Sequence, residues 1–202
     1  MNLFHEAHNF LSEEELSIVD NYILTPHFPW YFQQQATSDL FPFHSHVIYS
    51  RDMNGDTGDD YEPVSNSSLA SWVTPIVKRY SEKYLNKPMT KIYRACLNST
   101  QGWNLPHPFI EPHVDHMFDH MNLLVYLNDD VKEGGETVLF DKYLCEGMDA
   151  CNYSVDDYDK VEVMHSIKPE KGKALCFDGK LFHGVNNFRS DTRRVVLVVT
   201  FS

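Results

Sequence analysis

The stretch EPHVDHMFDH, residues 111–120, concentrates side chains that can bind a metal: three histidines and two aspartates in ten residues. His113 and Asp115 are two residues apart, so on a strand both side chains project from one face, as two ligands of one metal must. A His-x-Asp pair is short enough to arise by chance, so a third ligand is needed before the pair indicates a site.

A third candidate ligand is His183, in the stretch FDGKLFHGV, which follows one apolar run and precedes another. Two histidines and one carboxylate on one face form the facial triad of non-haem iron(II) oxygenases. Such a triad leaves coordination positions open for a chelating co-substrate and dioxygen. We therefore predict that His113, Asp115 and His183 are the metal ligands and the catalytic centre.

Two other interpretations of the cluster stay open. His116 and His120, one helical turn apart, could join His113 in a zinc site of another kind, such as that of a zinc hydrolase. The cluster could also be an incidental polar loop. We favour surface histidines over extra ligands for His116 and His120, because the triad already leaves the positions that the reaction needs.

A pair of arginines opens the apolar run RRVVLVVTF, residues 193–201. We expect this run to form a strand antiparallel to the one that carries His183, so that a guanidinium enters the same cavity. A guanidinium there can bind a carboxylate through two parallel hydrogen bonds. Neighbours on a strand face opposite sides, and both sides of this strand are apolar, so periodicity does not choose between Arg193 and Arg194.

The run MNLLVYLN, residues 121–128, supplies candidate pocket residues by its alternation. Asn122, Leu124 and Tyr126 fall on one face, and this face carries the hydrogen-bonding groups. Thr137, in GGETVLF, could line the same pocket, although a core threonine is an equal alternative. For Tyr126 the alternative is a core tyrosine.

Charge and composition exclude some classes of protein. The formal net charge of -12 opposes attraction to a phosphate backbone, so we expect no nucleic-acid partner. There is no apolar run of membrane-spanning length, and the start MNLFHEAHNF lacks the features of a signal peptide, so we expect a cytoplasmic protein without a membrane partner. Four cysteines without a CxxC pair agree with a reducing compartment.

The pattern of elements changes near residue 89. FLSEEELSIVDNYI places Ser12 as N-cap and Glu15 three residues later, a capping box that predicts a helix over about 12–24. LASWVTPIVKRYSEKYL predicts a second helix. From residue 89 short β-type runs follow one another, which indicates an antiparallel barrel or sandwich. We expect residues 51–68 to be a loop or lid and residues 141–160 a surface excursion.

In order and spacing, these motifs resemble those of the iron(II)- and 2-oxoglutarate-dependent dioxygenases, particularly the prolyl 4-hydroxylase-like group and its small phage and bacterial relatives. The resemblance covers nearly the whole chain and is carried by NFLSEEELSIVDNYI, EPHVD, LLVYLND, GGETVLF, IKPEKGKALCFDG, FHGV and an arginine after Thr192. It implies a single domain, residues 1–202. This domain would be mainly β, with a double-stranded β-helix (a cupin-like jelly roll) over 89–202 and a helical N-terminal part over 1–88 packed on it.

The resemblance also implies roles for individual residues. His113, Asp115 and His183 would bind iron(II), and the spacing in the family favours Arg193 as the residue that holds the C5 carboxylate of 2-oxoglutarate. Tyr126 would donate its hydroxyl to the same carboxylate. The remaining candidates for cofactor binding are two apolar residues that would form walls of the site, Leu124 and Val185, and two polar residues, Asn122 and Thr137.

The activity implied by the resemblance is hydroxylation with 2-oxoglutarate and dioxygen as co-substrates, ascorbate as a further cofactor, and release of succinate and carbon dioxide. The substrate would be a protein side chain, proline first, or a small amino-acid-like molecule. The location would be the cytoplasm, that of the host if a phage encodes the chain. Related halogenases lack the carboxylate ligand, which Asp115 supplies here.

The sequence departs from the prolyl hydroxylase pattern before the metal motif. Ile110 stands where that group commonly has a tyrosine, and the insertion NSTQGWNLPHPF follows the run KIYRACL. Arg94 and Asn98 resemble a YR…N pattern of phage-type relatives, with Tyr93 as the alternative co-substrate contact. Other residues expected near the cavity mouth or the substrate are Trp103, His107 and Glu136.

Two rival functions stay open at this point. A non-enzymatic jelly-roll module that binds a metal or small ligand would keep the triad but need no buried arginine. A nucleic-acid demethylase of the same superfamily would share the core but need a basic face. We expect the acidic segments 54–62 and 149–160 to rim the cavity and favour a basic peptide or cationic molecule, unless they are merely solvated.

Overall fold

Two antiparallel sheets form the protein in the computed structural model, which describes residues 3–35, 41–51, 58–102, 107–110, 112–131, 133–145, 159–188 and 193–202. The described residues contain eleven strands and two α-helices. Among them no helix has the length and apolar character needed to cross a bilayer. The predicted mainly-β jelly roll is confirmed.

The helices are α1, Glu13–Ile18, and α2, Ala70–Tyr80, and each continues as a π-helical turn, Val19–Ile23 and Ser81–Leu85 respectively. The strands are β1 Phe4–Ala7, β2 Tyr31–Gln33, β3 Phe43–Ser50, β4 Val64–Ser65, β5 Ile92–Gln101, β6 Met121–Tyr126, β7 Thr137–Tyr143, β8 Val163–Ile167, β9 Ala174–Asp178, β10 Leu181–Val185 and β11 Arg193–Phe201.

The larger sheet has the order β1-β9-β6-β11-β5-β3-β2, with β4 paired to β3, and the smaller sheet has the order β10-β7-β8. Residues of both sheets line one cavity, so the cavity lies between them. This arrangement lets side chains from distant parts of the chain meet.

The N-terminal part is not purely helical, which corrects the expectation for residues 1–88. β1 pairs with β9, and β3 pairs with β5, so both extend the larger sheet. β4 falls within residues 51–68, which were expected to form a loop. These strands cover sheet edges that would otherwise expose unpaired backbone groups.

The position of β11 also differs from the prediction. It lies between β6 and β5 in the larger sheet, whereas the strand with His183, β10, pairs with β7 in the smaller sheet. The expected pairing of β11 with the His183 strand was therefore wrong. An apolar run on both faces is typical of a central strand with layers on both sides, and this position gives β11 two such layers.

The main core lies between the larger sheet and the helices. Val195, Leu197 and Val199 of β11 belong to the same buried cluster as Val73 and Ile76 of α2. Alternation along the strand then turns the other face of β11 toward the cavity. The phase of this one strand decides which arginine reaches the site.

The capping box of α1 is present as predicted. The Glu15 backbone N–H donates to Ser12 Oγ at 3.2 Å, and the Ser12 backbone N–H donates to Glu15 Oε2 at 2.8 Å. Glu15 also accepts two hydrogen bonds from Arg79 of α2, each 2.7 Å long. One carboxylate thus both caps α1 and ties it to α2.

Replacing Glu15 with alanine is expected to lower the free energy of unfolding by about 1–2 kcal/mol near neutral pH, since a helix cap is lost together with a half-exposed ion pair. Burial raises the pKa of Glu15, but hydrogen bonds from Arg79 and Ser12 outweigh it, so the pKa is lowered on folding. This contribution is complete above the unfolded pKa of about 4.3 and is lost as the pH falls through the lower folded value.

Urea unfolding at several pH values tests this expectation, with Glu14→Ala as the control because Glu14 is an exposed first-turn residue of the same helix. The difference between the Glu15→Ala variant and the wild type should shrink in acid. A difference that stays constant down to about pH 2 would contradict the ionic role of Glu15.

Candidate metal centre and co-substrate cavity

Backbone pairing brings the two histidines of the predicted triad together. The His113 N–H donates to the His183 carbonyl at 3.0 Å, and the His183 N–H donates to the His113 carbonyl at 2.9 Å. The two imidazole centroids are 4.5 Å apart. Asp115, two residues further on, points to the same side, as its spacing from His113 predicts.

His113, Asp115 and His183 each offer one ligand atom, and these atoms lie within 4.8 Å of one another. Asp115 Oδ2 is shielded from solvent, has no hydrogen-bond partner, and lies 3.5 Å from His183 Nε2. A buried carboxylate oxygen without a partner is costly, and a divalent cation would satisfy it. The donor set, two imidazoles and one carboxylate, fits iron(II).

The pKa of Asp115 indicates which form of the carboxyl group is present. Burial raises this pKa, but the interactions with His183, His113 and Arg94 outweigh burial and hold it well below its ordinary value. Asp115 is therefore ionised at neutral pH. The ionised form is the one that binds a metal.

The triad opens into a cavity of about 520 Å³ between the two sheets. Its walls include the predicted Leu124, Thr137 and Val185, together with Ile110. Residues of the N-terminal part complete the lining: Gln33, Gln35, Phe41, Phe43, Ser45, Val47 and Arg51.

Arg194, and not Arg193, enters this cavity. Arg194 is 4% exposed, its Nε donates to the Gly135 carbonyl at 2.8 Å, and its Nη2 donates to Thr137 Oγ1 at 2.8 Å. Arg193 lies on the other face, where its guanidinium is 5.3 Å from the centre of the Trp30 ring. The prediction that Arg193 lines the pocket was wrong.

The register of β11 explains the correction. Val196 pairs with Tyr126 of β6 and with Asn98 of β5. Arg194, Val196 and Val198 then share the cavity face. The neighbouring residues, Val195 among them, pack on the helices.

The Tyr126 hydroxyl is linked to the cavity by Thr137, which lines it. Its hydroxyl donates to Thr137 Oγ1 at 2.7 Å, and the Arg194 guanidinium lies 5.5 Å from its ring centre. Burial raises the pKa of Tyr126 to about 12, so the hydroxyl stays protonated. Tyr126, Thr137 and Arg194 form one connected polar group at this end of the cavity.

Asn122 is not among the residues that line the cavity, although it was a candidate for cofactor binding. It is fully buried, and neither polar atom of its side chain has a hydrogen-bond partner. It lies opposite Thr200 of β11 and Phe177 of β9. It shares a strand face with Leu124, which lines the cavity, but does not line the cavity itself, so its predicted contact with a cofactor has no support from the lining.

His116 and His120 are buried, at 0% and 5% exposure, which corrects their expected place on the surface. His116 Nε2 lies 2.8 Å from Thr200 Oγ1, and His120 Nδ1 lies 2.8 Å from the Phe118 carbonyl. Within the described ranges, the group of side chains that could hold a metal consists of the triad and does not contain either histidine.

Two further arginines lie beside the triad. Arg94 Nη1 is 3.5 Å from Asp115 Oδ1, and Arg51 Nη1 donates to the Asp115 carbonyl at 3.1 Å. Arg94 and Asn98 line the cavity, whereas the Tyr93 hydroxyl donates to Ser202 instead. Arg51 was not anticipated, because no spacing relative to the metal motif identifies it.

The other residues predicted near the cavity mouth either do not line the cavity or are not described by the structure. Glu136 accepts a hydrogen bond from Asn186 Nδ2 at 3.1 Å, and neither Glu136 nor His107 is among the lining residues. Trp103 lies outside the described residues, as do 54–57 of the first acidic segment, 149–158 of the second, and 146–158 of the excursion. The acidic rim therefore stays a prediction.

Comparison with known proteins gives one family match. A family model described as the 2OG-Fe(II) oxygenase superfamily matches residues 101–201, which contain the triad and Arg194. No curated protein matches the chain.

Several solved structures share the fold. An oxidoreductase of the 2OG-Fe(II) oxygenase family from Burkholderia pseudomallei has a TM-score of 0.64 at 15% identity, covering 99% of this chain and 84% of that chain. A Trichoplax adhaerens prolyl hydroxylase in complex with a peptide of hypoxia inducible factor has a TM-score of 0.60 at 17% identity, covering 100% and 84%. The epimerase SnoN in complex with Fe3+, alpha ketoglutarate and nogalamycin RO has a TM-score of 0.60 at 11% identity, covering 98% and 78%.

Proposed function

This chain belongs to the 2OG-Fe(II) oxygenase superfamily, and on that premise we propose that it hydroxylates a C–H bond of an amino-acid-like group. The enzyme is a 2-oxoglutarate-dependent dioxygenase that uses iron(II). The group would belong to a protein side chain or to a small molecule, with release of succinate and carbon dioxide. Residues 1–202 would form one domain, because strands and helices of 1–88 pair and pack with the jelly roll.

The observation that carries the proposal is the distance between the triad and Arg194 within one cavity. Thr137, which binds Arg194, pairs with Val185, two residues along β10 from His183. Two residues on a strand span about 7 Å. A short dicarboxylate chelated to a metal at one end can bridge that gap and place its other carboxylate on a guanidinium.

Each residue has a defined part in this proposal. His113, Asp115 and His183 would hold iron(II), which with 2-oxoglutarate and dioxygen supplies the oxidising chemistry. Arg194 would bind the far carboxylate, and Thr137, which accepts hydrogen bonds from Tyr126 and Arg194, orients that group. Leu124 and Val185 would exclude water beside the co-substrate.

The solved structures support both kinds of substrate. One neighbour is a prolyl hydroxylase in complex with a peptide, and another is in complex with nogalamycin RO. The net charge of -12 argues against a nucleic-acid substrate. We also propose ascorbate as a reductant and a cytoplasmic location. The cytoplasm is a reducing compartment, in which ferrous iron and buried free thiols such as Cys96 and Cys176 persist.

The product is expected to gain an oxygen atom and no halogen, because the Asp115 carboxylate would be the third ligand of iron(II), in the place that a halide ion would need. The protein should be purified without oxygen, loaded with iron(II) and given 2-oxoglutarate, dioxygen and candidate substrates (free amino acids and proline-containing peptides) in buffer with added bromide. Succinate is then measured by chromatography and the product by mass spectrometry. Absence of succinate, or transfer of bromine, would contradict the proposal; zinc-loaded protein is the control.

A further inference from the structure

Arg51 and Arg94 line the cavity beside Asp115. We propose that Arg51 and Arg94 bind a carboxylate group of the primary substrate, close to the carbon that is oxidised. This inference rests on the proposed function and narrows its substrate to amino-acid-like molecules with a carboxylate near the reacting C–H bond.

The first support is position along the larger sheet. Arg94 of β5 pairs with Thr200 of β11, whereas Arg194 pairs with Thr100. Six residues of strand therefore separate the two arginines, about 20 Å at the backbone. Arg94 therefore belongs to the end of the cavity beside Asp115 and Arg194 to the other end, so the two arginines can serve different groups.

The second support is closeness to the metal ligands. Arg94 Nη1 lies 3.5 Å from Asp115 Oδ1, and Arg51 Nη1 lies 3.1 Å from the Asp115 carbonyl oxygen. A group held by these guanidiniums is therefore near the triad. A carbon oxidised at the metal can be only a few bonds away from a carboxylate bound here, which is the geometry of an amino acid or a similar small acid.

The third support is the charge of the cavity. Among the described lining residues, Arg51, Arg94 and Arg194 supply three guanidiniums, and Asp115 is the acidic side chain. The charge of the 2-oxoglutarate dianion offsets that of iron(II). The three guanidiniums therefore outnumber the one carboxylate. In a partly buried cavity this excess of positive charge attracts an anion and disfavours a basic peptide.

The chemistry of arginine matches this role. A guanidinium carries five N–H donors in a planar fork, so contact with Asp115 is compatible with binding a second carboxylate. Arg94 is 24% exposed, so its guanidinium meets the solvent of the cavity and is not sealed in the core. Asn98 and Ser45 also line the cavity and are neutral.

The test compares carboxylates with their amides. Iron-loaded protein with 2-oxoglutarate is assayed for succinate in the presence of the common L-amino acids, their N-acetyl forms and the matching primary amides. Metabolite extract separated on an anion exchanger extends the panel. We expect stimulation by a carboxylate or by the retained fraction, and much weaker stimulation by the matching amide.

Variants of the two arginines then test whether these residues cause the preference for a carboxylate over the matching amide. In Arg94→Gln and Arg51→Gln the ratio of kcat/KM for the carboxylate to that for the amide should fall at least about tenfold, as expected for one charge-assisted hydrogen bond. Arg193→Gln, outside the cavity, should keep the wild-type ratio. If the arginines only hold Asp115, both substrates lose activity equally and the ratio stays constant, which overturns the inference.

The outcomes separate this inference from the proposed function. Wild-type protein that makes no succinate from 2-oxoglutarate refutes the proposed function itself. Wild-type protein that makes succinate but responds only to neutral or cationic compounds, or to no carboxylate in the panel, refutes the anionic substrate alone.

Discussion

Replacing His183 with alanine is expected to abolish iron(II) binding and succinate formation while the protein stays folded. Its imidazole is one of the three donors that face one another within 4.8 Å. Loss of groups that merely support metal ligands lowers metal affinity by about 10–100-fold, so loss of a ligand should cost at least the upper value. The same result is expected for His113→Ala. Metal analysis after anaerobic loading measures the first effect, and chromatography of succinate the second.

The matched control is His165→Ala. His165 is a half-exposed histidine of β8 that contacts Glu6 and is not one of the three grouped donors. Circular dichroism and thermal unfolding of all three variants separate loss of metal from loss of fold. Iron content that survives both triad substitutions would show that the metal is held by other residues, and would reopen the zinc-site interpretation of His116 and His120.

Replacing Arg194 with alanine is expected to weaken binding of 2-oxoglutarate by about 10–100-fold or more. A charge-assisted hydrogen bond contributes about 1.5–3 kcal/mol, and a carboxylate can accept two from one guanidinium. KM for 2-oxoglutarate should rise steeply. Calorimetry of 2-oxoglutarate binding to the anaerobic iron-loaded protein measures the affinity directly.

Arg193→Ala is the control, since Arg193 lies on the opposite face of the same strand beside Trp30. It should leave the affinity within about twofold of the wild type. Arg194 also donates to the Gly135 carbonyl, so its loss could loosen the wall of the cavity. Arg194→Lys keeps the charge without the planar fork, and an intermediate affinity is expected for it. Equal effects at the two positions would remove Arg194 from the co-substrate site.

The sequence alone predicted that His113, Asp115 and His183 lie together, as they do in the structure. His113 and Asp115 sit at the spacing that places two side chains on one face of an extended chain, and His183 follows an apolar run in a second β-type segment. Local chemistry also predicted the capping box of Ser12 and Glu15, which depends on residues three apart. Patterns of this kind can be recognised in the sequence because they involve residues close together in the chain.

The tertiary structure alone decided which arginine enters the cavity. Both faces of β11 are apolar, so the alternation of residues does not tell which face turns toward the cavity. The spacing in the family pointed to Arg193. Pairing with β5 and β6 sets the phase, because Val196 lies opposite Tyr126 and the helices cover the other face. A shift by one residue would exchange the two arginines.

The grouping of Arg51 and Arg94 beside Asp115 was also decided by tertiary structure. Arg51 follows β3, Arg94 belongs to β5, and Asp115 lies beyond a long insertion, so no spacing along the chain relates them. They meet because β3 pairs with β5 and the segment of Asp115 pairs with β10 of the opposite sheet. Contacts between residues far apart in the chain depend on how the sheets pack, and periodicity within a single strand does not record that packing.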